Sequence, residues 1–268
     1  MKSSFINYKQ SVIHYNRFGS GDEVLFAFHG YGENADSFNF LDDVIGKNFT
    51  IIAIDFPFHG KTKWNEGLLF NVEDLLQIIT ILNHSSNQQI NLLGYSMGGR
   101  VSLKLLQTIP DKIKKLILIA PDGLHNNIWH SISTQTLVGN RIFKYVMKHP
   151  GFLLKMIKLA VKINAFNKSI ANFVHYYLDE ASSRWILYER WTTMRKFNLN
   201  KALLKSIITQ KKISVKILFG KFDKVIVTKR GVIFKKGIEN FVEVKEITAG
   251  HQLLKEKYAK EIAALFES

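Results

Sequence analysis

A doubly wound, mostly parallel α/β sheet interrupted by a helical insertion is the architecture this 268-residue sequence predicts. Three observations predict it. Short continuous apolar runs, Val24–Phe28, Ile51–Ile54, Ile90–Leu93, Leu116–Ala120 and Val215–Phe219, read as strands buried on both faces, with helical patterns between most of them. Gly94-Tyr95-Ser96-Met97-Gly98 joins one of these strands to a helix. From about Leu124 to Ser206 the alternation stops and the chain reads mainly as helix. The expected organisation is a core over residues 1–123, a helical insertion over 124–211 and the rest of the core over 212–268.

The elements follow in order. Ser11–Tyr15 is the second arm of an N-terminal hairpin, with Gly19-Ser20-Gly21 after it. Val24–Phe28 leads into His29-Gly30-Tyr31-Gly32, and a short helix from Phe38 to Ile45 ends at Gly46. After the strand Ile51–Ile54, Asn71 is placed to cap a helix whose first turn holds Glu73 and Asp74. Val101, Leu103, Leu105, Leu106 and Ile109 give the helix after Ser96 its apolar spacing, and Pro110 stops it. Beyond the insertion come the strands Val215–Phe219 and Phe241–Val244, then an amphipathic helix expected from Leu253 to Phe266.

Composition narrows the function classes. The chain has no cysteine, which excludes thiol catalysis, disulfides and thiolate metal sites. Neither metal-ligand spacing nor a G-x-G-x-x-G fingerprint is present, so no cofactor and no metal are expected. Met1–Lys9 carries no apolar signal region and no window is long enough to span a membrane, so a cytoplasmic location is expected. The net charge is +15, and between His125 and Lys212 fifteen Lys/Arg stand against three acids. The plain reading is a solvated, Lys-rich face. The functional readings are attraction of an anionic substrate or weak contact of the basic insertion with an anionic membrane surface. No nucleic-acid-binding motif appears, and a nucleic-acid partner is not expected.

His29, Asp55, Ser96, Asp122, Asp223 and His251 all fall at or just after strand ends, where ligands bind in open α/β sheets. A sharp strand-to-helix turn exposes the Ser96 hydroxyl and aims the Met97 N–H at whatever the serine attacks. Serine becomes a nucleophile only when an imidazole accepts its proton, and the imidazole needs a carboxylate to fix its tautomer. His251, on a loop after Ala249-Gly250, is the candidate imidazole; Asp223 and Asp122 are the candidate acids.

Over nearly its full length this pattern resembles the α/β-hydrolase superfamily, whose chain order of serine, acid and histidine is that of Ser96, Asp223 and His251. Strand order favours Asp223 over Asp122. The resemblance implies a second oxyanion donor at the Tyr31 N–H beside that of Met97, a structural role for His29, and substrate contact at Gly30. Asp55-Phe56-Pro57-Phe58-His59-Gly60-Lys61-Thr62 is similar to the family's D-x-P-G-H-G-x-S loop, with Phe58 and Thr62 replacing a glycine and a serine. That loop shapes the site wall without doing chemistry in relatives.

The insertion falls where this superfamily carries a helical cap that sets substrate choice. Its content is apolar and aromatic: Trp129, Phe143, Tyr145, Phe152, Phe166, Phe173, Tyr176, Tyr177, Trp185 and Trp191. Lys155, Lys158 and Lys162 share one helical face, with Leu153, Met156, Ile157 and Ala160 opposite and expected to pack on the core. The implied activity is hydrolysis of a small to medium carboxylic ester through an acyl-enzyme. Gly-Tyr-Ser-Met-Gly-Gly-Arg is also similar to the elbow of the menaquinone-pathway lyase, which eliminates pyruvate from a cyclohexene carboxylate. On that alternative Arg100, Arg184, Arg190 and Arg195 are candidates to bind an anionic substrate. A third reading keeps the pocket but not the chemistry, as a hydrolase-like ligand receptor.

Overall fold

Residues 2–83, 89–125, 128–163 and 178–267 are described in a computed structural model of the chain. β1 (Lys2–Tyr8) and β2 (Ser11–Phe18) form an antiparallel hairpin that turns at Lys9, with φ of +50°. β3 (Glu23–Phe28) is followed by a 3-10 turn over Ala35–Leu41, which Asn34 caps by accepting the Asp36 N–H, and by α1 (Asp42–Ile45). Next come β4 (Phe49–Ile54) and α2 (Val72–Leu82). Asn71 and Asp74 cap α2 reciprocally in a capping box, satisfying two N–H groups that a helix start otherwise leaves unpaired. β5 (Ile90–Tyr95), α3 (Met97–Thr108) and β6 (Ile113–Ile119) complete the first half.

α4 (Ile128–Gln135), α5 (Leu137–Lys148), α6 (Gly151–Lys162) and α7 (Ala181–Thr193) follow. Then come α8 (Lys201–Lys211), β7 (Ser214–Gly220), α9 (Lys229–Lys235), β8 (Val242–Ile247) and the short α10 (Ala259–Ala263). The eight strands form one sheet in the order β1-β2-β4-β3-β5-β6-β7-β8. β2 pairs antiparallel with β1 and β4, and every other neighbouring pair is parallel.

The chain divides into two compact units. One comprises Met1–Glu66, Asn71–His125 and Phe197–Ser268; the other comprises Gly67–Phe70 and Asn126–Lys196. In the first, β3, β5, β6 and β7 are covered on both faces, and Leu25, Phe26, Leu92, Leu93, Ile117, Leu118 and Ile217 are sealed from solvent. Each such side chain contributes about 1.5–3 kcal/mol by leaving water. The second unit has a smaller core in which Met147, Leu178 and Tyr188 are ringed by Leu68, Phe143, Val146, Leu153, Leu154 and Leu187.

Within the hairpin, β2 is tied to the β4 end by a buried hydrogen bond. His14, 1% exposed, contacts Asp55 Oδ2 through Nδ1 at 2.7 Å, and the Ser3 hydroxyl lies 2.8 Å from its Nε2. Asp55 also accepts the Ala35 and Lys61 N–H groups. Thr62 donates its hydroxyl to the Asp55 carbonyl.

Three elements differ from the sequence reading. Residues 197–211 belong to the sheet unit although the spacing groups them with the insertion: α8 packs on α3, and Lys211 pairs with Asp111 at 2.6 Å. The C-terminal segment is helical only over Ala259–Ala263, after a 3-10 turn at Glu256–Tyr258. Leu253 and Leu254 reach the core from irregular, tightly turned chain, so their apolar spacing imitates a helix. α9 carries no strong apolar period and was not foreseen. Among the candidate aromatics, Phe166, Phe173, Tyr176 and Tyr177 lie outside the described residues, as does the side chain of Trp129.

Candidate active site

The elbow is made by four close approaches. Ser96 follows β5 and precedes α3 with φ of +49° and ψ of −113°, a backbone region that non-glycine residues occupy only when surroundings compel it. Its N–H donates to the Ile119 carbonyl, and its own carbonyl accepts the Asp122 N–H, so the neighbouring β6 end holds the turn from both sides. A Cβ at Gly98 would stand 1.9 Å from the Phe28 carbonyl oxygen, and one at Gly94 2.5 Å from the Gly98 oxygen. Only glycine lets α3 start this near β3 and β5.

Ser96, His251 and Asp223 come together at the C-terminal end of the sheet. The Ser96 hydroxyl lies 3.2 Å from His251 Nε2, and His251 Nδ1 lies 2.7 Å from Asp223 Oδ2. Donation from Nδ1–H to the carboxylate leaves Nε2 as the acceptor facing the serine. Asp223 is buried and its other oxygen accepts the Val225 and Ile226 N–H groups. Burial alone would raise its pKa; the hydrogen bond from His251 and the two backbone donors outweigh it and hold the carboxyl below its ordinary value. The loops carrying these residues are laced together, since Lys221 N–H donates to Ile247 O and Phe222 N–H to Ala249 O.

Asp122 is occupied elsewhere. Its carboxylate receives Arg100 Nε at 2.9 Å and Nη2 at 3.1 Å, a two-pronged pair that also accepts the Gly123 N–H. Arg100, expected at the substrate, is thereby committed to the loop behind the elbow. Gly30 abuts the elbow itself: a Cβ there would stand 2.9 Å from the Tyr95 ring and 3.3 Å from Ser96 Cβ. Tyr31 follows it, with its ring edge-on to His59 at 6.0 Å. Met97 is the first residue of α3, where helix N–H groups lack an intrahelical acceptor. His29 is buried, contacts Gly30 O through Nδ1 at 2.7 Å and accepts the Phe56 N–H at Nε2, which pins the loop after β3. His59 is buried against the Pro57 carbonyl, and Phe58 adopts φ of +61°, the left-handed region that favours glycine.

Two neighbours were not foreseen. The Tyr95 hydroxyl donates to the His251 carbonyl at 3.1 Å, and the two rings lie 5.7 Å apart, so the residue before the serine anchors the histidine loop. Glu33 lies in the Gly30–Glu33 turn, with one carboxyl oxygen buried and unbonded. Burial pushes its pKa up to about 7, against opposing pulls from His251, a Gly30 backbone hydrogen bond, Ser37 and Lys255. Glutamate after His-Gly-x-Gly is the only trace of it in the sequence. Among the described residues no cluster of His, Asp or Glu is placed to hold a metal ion.

Comparison with known proteins agrees with this architecture. The family described as the alpha/beta hydrolase fold matches residues 23–153. A Mycoplasma genitalium protein named as an esterase/lipase is 28% identical over 76% of this chain and 78% of its own. The pimeloyl-[acyl-carrier protein] methyl ester esterase of Aeromonas salmonicida is 28% identical over 46% of this chain and 48% of its own. This chain spans only 30–48% of the length of the first curated relatives it matches. Among solved structures, a thermophilic esterase from Thermogutta terrifontis superposes with a TM-score of 0.69 at 17% identity, covering 100% of this chain and 97% of that one. The matched stretch, the strand order and the superposition agree on one architecture, and the chain has the α/β-hydrolase fold.

Proposed function

We propose that the protein is a serine hydrolase that cleaves a small to medium carboxylic ester through an acyl-enzyme on Ser96. The observation that carries this reading is the unbroken Ser96–His251–Asp223 hydrogen-bonded chain at the elbow. His251 Nε2 takes the hydroxyl proton as Ser96 Oγ attacks the ester carbonyl, and Asp223 stabilises the imidazolium that forms. The N–H groups of Met97 and Tyr31 receive the developing oxyanion, each donor contributing about 3 kcal/mol to the lowered barrier. The imidazolium then protonates the departing alcohol. Water, deprotonated by the same nitrogen, releases the acid and restores the serine.

The relatives named as esterases support an ester substrate. Three of the four arginines named for the lyase alternative are engaged elsewhere. Arg100 is paired with Asp122; Arg184 donates to the Met147, Leu178 and Asp179 carbonyls, and Arg195 to those of Leu68 and Thr192. The helical insertion is the part expected to set acyl-chain preference. Fluorophosphonate treatment followed by intact mass should add one label at Ser96, and p-nitrophenyl esters of graded chain length should be hydrolysed. Ser96→Ala should lower turnover by about 10⁴–10⁶. An unlabelled Ser96 in a folded protein that binds ligand would instead make the chain a receptor, and activity within tenfold of the parent would end the assignment.

A further inference from the structure

Helix α6 carries two apolar faces, and among the described residues only one turns into a core. Leu153, Leu154 and Ile157 turn into the core of the second unit. Phe152, Met156, Leu159 and Ile163, spaced at four, three and four residues, form a separate stripe along the outside, and Phe152 is 77% exposed. Met156, grouped by spacing with the inward residues, is in this outer stripe. Lys155, Lys158 and Lys162 border the stripe and are all exposed. Helix α5, joined to α6 through His149 and Pro150, repeats the arrangement. Leu137, Val138, Ile142 and Tyr145 are exposed there, with Leu137 at 83%, and Arg141 and Lys148 stand among them.

The charge in this region is one-sided. From Gly123 to Leu178 the chain has seven Lys/Arg and no acidic residue. A soluble face that merely needs hydration carries charges of both signs and few large apolar side chains. Bulky apolar residues at helical spacing, bordered by lysines with no acid on either helix, match the physical profile of an anionic bilayer surface: headgroup phosphates for the lysines, the upper acyl region for Phe152, Leu159 and Ile163. A second copy of this chain would bring like charge against like charge on the same face.

We propose that the outer faces of α5 and α6 dock the protein on an anionic lipid surface. Helix faces that lie on the surface give a peripheral, reversible attachment. Docking is independent of the chemistry at Ser96, and its readout needs no turnover.

The test is sedimentation of the full chain with vesicles of phosphatidylcholine alone, or of equal parts phosphatidylcholine and phosphatidylglycerol. The parent should pellet with the mixed vesicles and stay in solution with phosphatidylcholine. Two variants separate the contributions: Phe152→Ser with Leu159→Ser, and Lys155→Glu with Lys158→Glu and Lys162→Glu. Each should weaken partitioning by about tenfold or more while circular dichroism and thermal melting stay as in the parent. All the substituted side chains are exposed, so folding should survive. Failure of the parent to bind mixed vesicles, or undiminished binding by either folded variant, overturns the proposal. So does self-association of the parent in lipid-free buffer that Phe152→Ser with Leu159→Ser abolishes, which would assign the face to a second copy.

Discussion

At the scale of single residues, two acids near the elbow differ in what they touch, and their replacements should differ accordingly. Asp223 holds the Nδ1 proton of His251, so Asp223→Asn should leave the imidazole in the wrong tautomer and lower kcat/KM by about 10³–10⁴. Asp122 holds only Arg100 and the Gly123 N–H, and Asp122→Asn should keep kcat/KM within about tenfold of the parent. Steady-state kinetics on one p-nitrophenyl ester checks both. Glu33 gives a pH-dependent signature. Its pKa is about 7 in the folded chain against an ordinary 4.5, so the folded state retains a proton that the unfolded state has lost. Ionising it therefore opposes folding progressively as pH rises from 4.5 to 7, with the full penalty above 7. Glu33→Gln should thus stabilise the protein at pH 8 by up to about 3 kcal/mol and change little at pH 5, as thermal melts at the two pH values will show.

At the scale of elements, the backbone conformations that side chains dislike are concentrated at turns. Lys212 ends α8 with φ of +51° and its side chain is exposed, so Lys212→Gly should stabilise the fold by about 0.5–1 kcal/mol in chemical denaturation. Gly98→Ala should do the reverse, costing at least about 3 kcal/mol, because its methyl group would meet the backbone of Phe28 and His29, which cannot give way as a side chain would. The buried strands were legible in the sequence because continuous apolar runs such as Leu116–Ile119 have no other stable destination in a chain of this composition. Ser96 was legible because the glycines beside it record a steric requirement in the sequence itself. The irregular Leu253-Leu254 segment was not, since periodicity reports that residues are apolar without saying which conformation delivers them inward. α6 shows the same limit: a helical wheel displays two apolar arcs, and only tertiary contacts decide which of them is covered. Glu33 was hidden for a different reason. Its burial is created by a loop arriving from the far end of the chain, and nothing local encodes that.

At the scale of the whole molecule, the two units are held by cores of different depth. The sheet unit seals entire strands, whereas the described core of the second rests on Met147, Leu178 and Tyr188 with half-buried neighbours. Opening the second therefore exposes less apolar surface and needs less free energy. Hydrogen exchange should show the amides of α5 and α6 exchanging through a partial opening, while those of β3, β5 and β6 exchange only on global unfolding. Equal protection in the two sets would show a single cooperative unit.

The buried pair within the hairpin turns the molecule into its own control. Ser3, His14 and Asp55 are joined by the same two kinds of contact, at 2.8 and 2.7 Å, as the three residues at the elbow. What Ser3 lacks is everything else: it lies on an ordinary edge strand, with no bend to thrust it forward and no helix beginning beside it. Comparing how fast one phosphonylating reagent modifies the two hydroxyls in a single sample would measure, free of differences in preparation, how little a proton relay accomplishes without the scaffold around it.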